Sequence, residues 1–368
     1  MFGNKLNPTR LSLARRRRAL SKTELGAAIG VTPDTIRRYE LGIPVPDDKI
    51  RLIASVLKFP ESFFRGPDID EPRRDNASFR GMASKSGKVM DAALSSGAIA
   101  FLLDDWISAR FNRSEPNLLD LQGEQPETAA MLLRQYWGLG DKPIKNMVHL
   151  LETNGIRVFS LAESNREVDA FSLWRDSIPY VFLNRFKSAE RSRYDSAHEL
   201  AHLCLHKHGG AHSDKLNSDI EKEANQFAAS FLMPAGDVRA ICVSHIYGVE
   251  ALLDYKKRWG VSVAALNYRL SELGMVSEGK ATSNYVEMSR RGWLKSEPQG
   301  LSREQSVILQ DVIDDLLKEG ITKTKIAEEL SIAPAEIEAL LFGLANMVSI
   351  DGSGGKTPRA QVSLRIIK

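Results

Sequence analysis

Ala197-His198-Glu199-Leu200-Ala201-His202 lies inside a long run of helical periodicity, from Arg191 to about Leu273. One helical turn takes 3.6 residues, so His198 and His202 share a face about 6 Å apart along the axis, and both imidazoles can reach one cation. Glu199 stands beside them as a general base for a water that such a cation activates. A catalytic zinc needs a third protein donor and an open position. The downstream candidates are His206, His208, His212, Glu221 and Glu223. His206 falls a further turn along, about 12 Å of rise from His198, too far to share an ion with both other rings. Leu205 stands where the chain would need a glycine to bring His208 back toward the metal.

Residues 219–232 read as a helix whose apolar face carries Ile220, Ala224, Phe227, Ala228 and Phe231. At 100° per residue, Glu221 lies roughly 60° from the centre of that face and Glu223 roughly 100°. Glu221 therefore points nearer the interior, where a carboxylate is costly unless it meets a cation. Asn225, one turn on, is placed to orient a ligand. Ser218-x-x-Glu221 also fits a capping box, a second use for the same carboxylate. Upstream, Gly155–Phe159, Ala170–Trp174 and Tyr180–Leu183 read as short strands.

These segments together resemble the ImmA/IrrE family of zinc metallopeptidases. The resemblance rests on Ala197–His202, on Glu221, Ala224, Asn225, Phe227, Ala228, Phe231, Leu232, Met233 and Pro234, and on Trp137-Gly-Leu-Gly, Leu151-Glu-x-x-Gly-Ile-x-Val-Phe159 and Val168-Asp-Ala-Phe-Ser-x-Trp174. Ala201 departs from the glycine frequent there, and Tyr194-Asp-Ser is a more polar lead-in than usual. The resemblance implies an α+β zincin-like domain, a Zn2+ cofactor held by His198, His202 and Glu221, and Glu199 as the base. For the oxyanion donor, His245 and Tyr180 are the candidates in reach of sequence reasoning.

Leu20–Gly42 gives the second decisive reading. Ser21 and Glu24 form a capping box, Gly30 supplies a turn, and Thr32-Pro33 starts a fresh helix with proline at its first position. Gly26, in mid-helix, costs about 1 kcal/mol against alanine unless another segment crosses there closely. Leu25, Ile29, Val31 and Ile36 are spaced to fill the core of two crossed helices, as in a helix-turn-helix. The second helix would offer Pro33, Asp34, Thr35, Arg37 and Arg38 to the DNA major groove, with Thr32 and Lys22 on phosphates or base edges. Residues 9–64, with the closing Tyr39-Glu40-x-Gly42, resemble the XRE (Cro/C1-type) helix-turn-helix family, which implies a double-stranded DNA operator as partner and makes a homodimer the expected state.

Charge agrees with this split. Residues 1–65 hold 13 Lys or Arg against 6 Asp or Glu, while the rest hold 37 against 41. A basic head on an acidic body suits one segment meeting a polyanion. The composition, with 43% hydrophobic and 26% charged residues, excludes disordered and collagen-like classes. Two cysteines, Cys204 and Cys242, exclude a disulfide framework, and no apolar run approaches a membrane span, so a cytoplasmic chain is expected.

The expected architecture is mainly α. An all-α helix-turn-helix domain (1–66) leads through a linker and helical connector (67–120) to a metallopeptidase domain with a small sheet and an HExxH helix (121–276). A helical region with a flexible end (277–368) closes the chain. Lys323–Ile337 mimics a second helix-turn-helix, but its reading helix would offer Glu336 and Glu338 to phosphate, so it reads as a packing or dimerisation unit. Gly352–Thr357 lacks the leading glycine of a phosphate loop. The expected function is a DNA-binding regulator that cleaves a repressor-type protein, either an XRE-type repressor or this chain itself, to control stress or mobile-element genes. The alternatives are a regulator whose peptidase-like domain is a non-hydrolytic zinc or ligand sensor, and an antitoxin-like protein-binding module.

Overall fold

The computed structural model describes residues 6–73, 77–78, 86–161, 168–206, 217–242 and 248–346. His208, His212, His245 and the 352–357 segment lie outside them. The architecture is mainly helical, with one three-stranded sheet among the described residues.

The head begins at α1 (Pro8–Arg17), capped by the Asn7 side chain. Helix α2 (Lys22–Ile29) carries the full Ser21–Glu24 capping box and ends on Gly30 in the left-handed region. Thr32 caps α3 (Pro33–Glu40). Helix α4 (Asp47–Leu57) and a 3-10 turn at Glu61–Arg65 close the unit. Leu25, Ile29 and Ile36 are buried, and Val31 packs against them half-buried. A Cβ on Gly26 would sit 2.7 Å from the Val31 carbonyl oxygen, so what crosses there is the turn backbone that launches α3.

Helix α5 (Gly87–Ser108) is buried almost without interruption from Ala92 to Ile107. A helix apolar on every side must be enclosed on every side. Helix α1 of the head packs on it, and its Phe101 meets Tyr180 of the sheet at 4.8 Å between ring centroids. At Gly97 the chain brings in Pro72, whose ring would collide with a Cβ.

Helices α6 (Pro126–Tyr136) and α7 (Met147–Thr153) lead into β1 (Arg157–Ser160), β2 (Ala170–Arg175) and β3 (Ile178–Leu183). The order is β1-β3-β2, with β1 parallel and β2 antiparallel to β3, so β2 is an edge strand. The β2–β3 hairpin turns on Asp176 and Ser177, both at positive φ, as a two-residue type I′ turn requires. Against this sheet lies α8 (Ala189–Leu205), and α9 (Asn217–Leu232) packs along α8. Helices α10 (Ala235–Ile241), α11 (Val249–Trp259), α12 (Val263–Glu272) and α13 (Glu278–Arg290) follow.

The tail comprises α14 (Val307–Lys318), α15 (Lys323–Leu330) and α16 (Pro334–Leu341). The last two have the turn chemistry of a helix-turn-helix, yet α16 packs on β1 and α5 instead of facing solvent. Glu336, which would repel phosphate on an exposed helix, is 2% exposed and pairs with Arg17 and Arg18 of the head at 2.8 and 2.7 Å. The tail is thus a packing unit that clamps the head.

Candidate metal centre and nucleic-acid interface

Helix α8 turns His198 and His202 toward α9, and α9 returns Glu221 to meet them. His198 Nε2 lies 3.1 Å from His202 Nε2 and 3.2 Å from Glu221 Oε2, and His202 Nε2 lies 3.6 Å from Glu221 Oε1. A tetrahedral ion with ligand bonds of about 2.0–2.1 Å places its donors about 3.3–3.4 Å apart, so this triangle has the size of one face of such a site. Glu221 Oε1 is buried and accepts no hydrogen bond. An unpartnered carboxylate oxygen aimed between two imidazoles is what a divalent cation would satisfy. The donor set therefore fits zinc.

The far side of each imidazole is also engaged. Asn225 Oδ1 lies 3.2 Å from His198 Nδ1, an acceptor that places the proton on Nδ1 and leaves Nε2 free to bind metal. Behind His202 runs a chain: His202 Nδ1 is 3.1 Å from His206 Nδ1, and His206 Nε2 is 3.0 Å from Glu223 Oε2. With Glu223 accepting from His206 Nε2, His206 Nδ1 accepts from His202 Nδ1, and His202 Nε2 is again left for the ion. Burial alone would lower the pKa of His198, but the hydrogen bond to Glu221 and the charges of Glu199 and Glu221 outweigh it and raise it. The pocket draws positive charge to the His198 ring.

Glu199, between the two histidines on α8, faces strand β2. Its Oε2 accepts from Ser172 Oγ of β2 at 2.7 Å and from Ser78 Oγ at 2.6 Å. Burial pushes its carboxyl up to about 7, opposed by the His198 charge and the two hydroxyls. Beside Glu221 and Asn225 opens a cleft of about 880 Å³, walled in part by Tyr194, Tyr268, Tyr285 and Trp293.

On the head, Thr32, Pro33 and Asp34 at the start of α3 and Arg37 and Arg38 in its last turn are exposed, and Thr35 is half-buried. Thr32 Oγ1 accepts from the Thr35 amide at 3.1 Å, which spends its acceptor on the cap. Arg37 is held to Asp34 at 2.8 Å, so a DNA contact by Arg37 would first release that pair. Lys22 sits 3.1 Å from Glu40, which Arg15 also holds.

Residues 11–64 match the family model described as helix-turn-helix, and residues 151–271 match that of the IrrE N-terminal-like domain, a peptidase family. The chain is a helix-turn-helix head fused to an IrrE-type peptidase-like domain. A search of curated proteins returned no match.

In the IrrE-type domain, Tyr180 does not serve the candidate centre, because its hydroxyl donates to buried Asp104 at 2.7 Å. Glu221 and Glu223 are equally exposed, at 26% and 24%, so the difference in burial that the helical wheel anticipates is absent. What separates them is what they face. Three further participants escape local reading. Ser172 was visible only as part of the strand motif, His206 lies too far along the helix to bind the ion but supports His202, and Ser78 gives no local signal. Among the described residues no helix is long and apolar enough to cross a membrane.

Proposed function

We propose that this chain is a cytoplasmic DNA-binding regulator whose IrrE-type domain is a zinc-dependent endopeptidase. In this reading residues 1–66 bind a double-stranded DNA operator through the exposed end of α3, with Lys22 alongside, in a homodimer. Residues 121–276 hydrolyse a repressor-type protein, this chain among the candidates, and residues 67–120 and 277–368 connect and brace them. The observation that carries it is the convergence of His198, His202 and Glu221 around an unpartnered carboxylate oxygen, with Glu199 on the next residue of the same helix.

His198, His202 and Glu221 would hold the ion, and Asn225 and the His206–Glu223 chain would keep both rings in the metal-binding tautomer. Zinc held there supplies a nucleophile from water at neutral pH and polarises the scissile carbonyl. Glu199 accepts a proton from the attacking water and returns it to the leaving amine, and Ser172 positions its carboxylate.

Elemental analysis of purified protein beside Glu221→Ala tests the centre: one zinc per chain is expected, falling to a small fraction in the variant. Incubation of zinc-loaded protein with XRE-type repressors, and with a second copy of itself, should give cleavage that Glu199→Gln abolishes. A sensor that sets DNA affinity without hydrolysis is the second reading, favoured by the buried clamp between head and tail. It predicts metal-dependent operator binding that Glu199→Gln leaves unchanged, with every candidate protein intact.

A further inference from the structure

Strand β2 is an edge of the sheet, and its outer side is taken by two residues of the segment that joins head to peptidase-like domain. Ala77 pairs antiparallel with Leu173. The Ser78 amide donates to the Ser172 carbonyl at 3.0 Å, and the Ser172 amide donates to Ser78 Oγ at 2.7 Å. Both residues are buried, Ala77 to 4% exposure and Ser78 to 6%. The same Ser78 hydroxyl reaches Glu199 Oε2. One side chain thus fills the ladder position on β2 and occupies the carboxylate that the proposed reaction needs.

We propose that Ala77–Ser78 is a built-in occupant of the peptidase, holding the β2 edge and Glu199 until an extended polypeptide displaces it. This rests on the peptidase reading of the site. An edge strand offers unpaired N–H and C=O groups to any extended chain, and main-chain pairing of that kind is indifferent to sequence. A segment of the same chain competes at high effective concentration, so an incoming peptide must outbid a tethered rival. The occupancy is unproductive because the Ser78 hydroxyl donates to the Glu199 oxygen to which the attacking water of the proposed reaction would donate. The segment is also fastened at its other end. Glu71 pairs with Arg16 at 2.7 Å, and Asp68 accepts from Asn7 and Thr9 at 2.9 and 2.8 Å.

Two variants of the full chain test this. Ser78→Pro removes both the donor to Ser172 and the hydroxyl on Glu199. Ala77→Cys/Leu173→Cys locks the pair when oxidised, since directly opposed residues flanked by the ladder bonds sit about 4.5 Å apart between Cα atoms. Hydrogen exchange, which needs no metal, should show the Ser172 amide protected in the wild type and in the locked form but exchanging at least tenfold faster in Ser78→Pro. Zinc-loaded protein should bind a peptide hydroxamate at least tenfold more tightly in Ser78→Pro than in the wild type, and the oxidised double cysteine should not bind it until reduced. Equal exchange at Ser172 in the wild type and Ser78→Pro overturns the inference, as does equal hydroxamate affinity in locked and reduced forms. Absence of zinc by elemental analysis would defeat the peptidase reading separately, while the exchange result still decides whether these residues cover the edge.

Discussion

Replacing Glu336 by alanine should loosen the head from the body. Its carboxylate is 2% exposed and faces Arg17, 3% exposed, and Arg18, 22% exposed. The two arginines will respond differently. Arg18 also donates to the carbonyls of Leu57 and Lys58 at 2.7 and 3.2 Å and lies over the Phe59 ring, so it can turn outward at small cost. Arg17 is enclosed, with its pKa lowered by burial against the pull of Glu336. Removing one member of a buried pair costs about 3–5 kcal/mol, because the remaining charge loses its compensation. With Arg18 able to recover, the lower end, about 3 kcal/mol, is expected. At a urea slope of about 3 kcal/mol per molar for a chain of this size, the unfolding midpoint should fall by about 1 M. The double variant Arg17→Met/Glu336→Met should lie within about 1 kcal/mol of wild type, since apolar groups of similar volume replace a buried pair at little cost. A loss below about 1 kcal/mol in Glu336→Ala, or a double variant as unstable as the single one, would refute the clamp.

Four further outcomes follow from the same geometry. Gly26→Ala drives a Cβ to 2.7 Å from the Val31 oxygen and should cost about 1–3 kcal/mol despite alanine's better helix propensity, read as a lower thermal midpoint; an unchanged or higher midpoint refutes the close crossing. His206→Ala should weaken zinc about 10–100-fold in a chelator competition by releasing His202, and Glu223→Gln should move it the same way; unaltered affinity would leave the chain behind His202 without a role. Burial raises the Glu152 carboxyl to about 7 from 4.5, against the Ser306 hydroxyl and the charge of Arg113. The folded state then binds that proton more tightly, so its contribution to stability is full below about pH 4.5 and is lost as pH rises through about 7. Glu152→Gln should gain on wild type by up to about 3 kcal/mol between those limits in urea unfolding, and parallel pH profiles would contradict it. Arg38→Ala should weaken operator binding about 10–100-fold and reduce its salt dependence, provided Arg38 reaches DNA; an unchanged salt slope would place it off the interface.

Local chemistry made the elements readable. The caps at Ser21 and Thr32, the left-handed Gly30 and the pairing of His198 with His202 on one helical face all depend on neighbours a few residues apart. The three strands also lie where the short strand-like runs placed them, each within two residues. Glu221 was reachable through the motif that follows the paired histidines, although burial did not set it apart from Glu223. What stayed hidden depends on distant partners. Ser78 is 94 residues from Ser172 and 121 from Glu199. Arg17 and Glu336 are 319 residues apart. Glu336 argued against DNA reading by α16 and for packing, but its charge alone could not say that the head would supply the cations.

The way the head is held bears on how cleavage could act. A cut in the connector severs one covalent path, but α1 still packs on α5 and Arg17 and Arg18 still grip Glu336. Scission alone would therefore leave the head in place, and a switch built on self-cleavage needs a further step that breaks those contacts. The connector offers a path that needs no cut. It meets α1 through Glu71 and Arg16 and the peptidase-like domain through Ser78 and Glu199, and Arg16 is the neighbour of Arg17. If an extended peptide at the β2 edge alters the seating of α1, operator affinity changes by some factor. Linkage then requires bound DNA to change the affinity of the β2 edge for peptide by that same factor. DNA and polypeptide would thus regulate each other through a single stitched segment, with hydrolysis as a consequence of its displacement rather than the means of it.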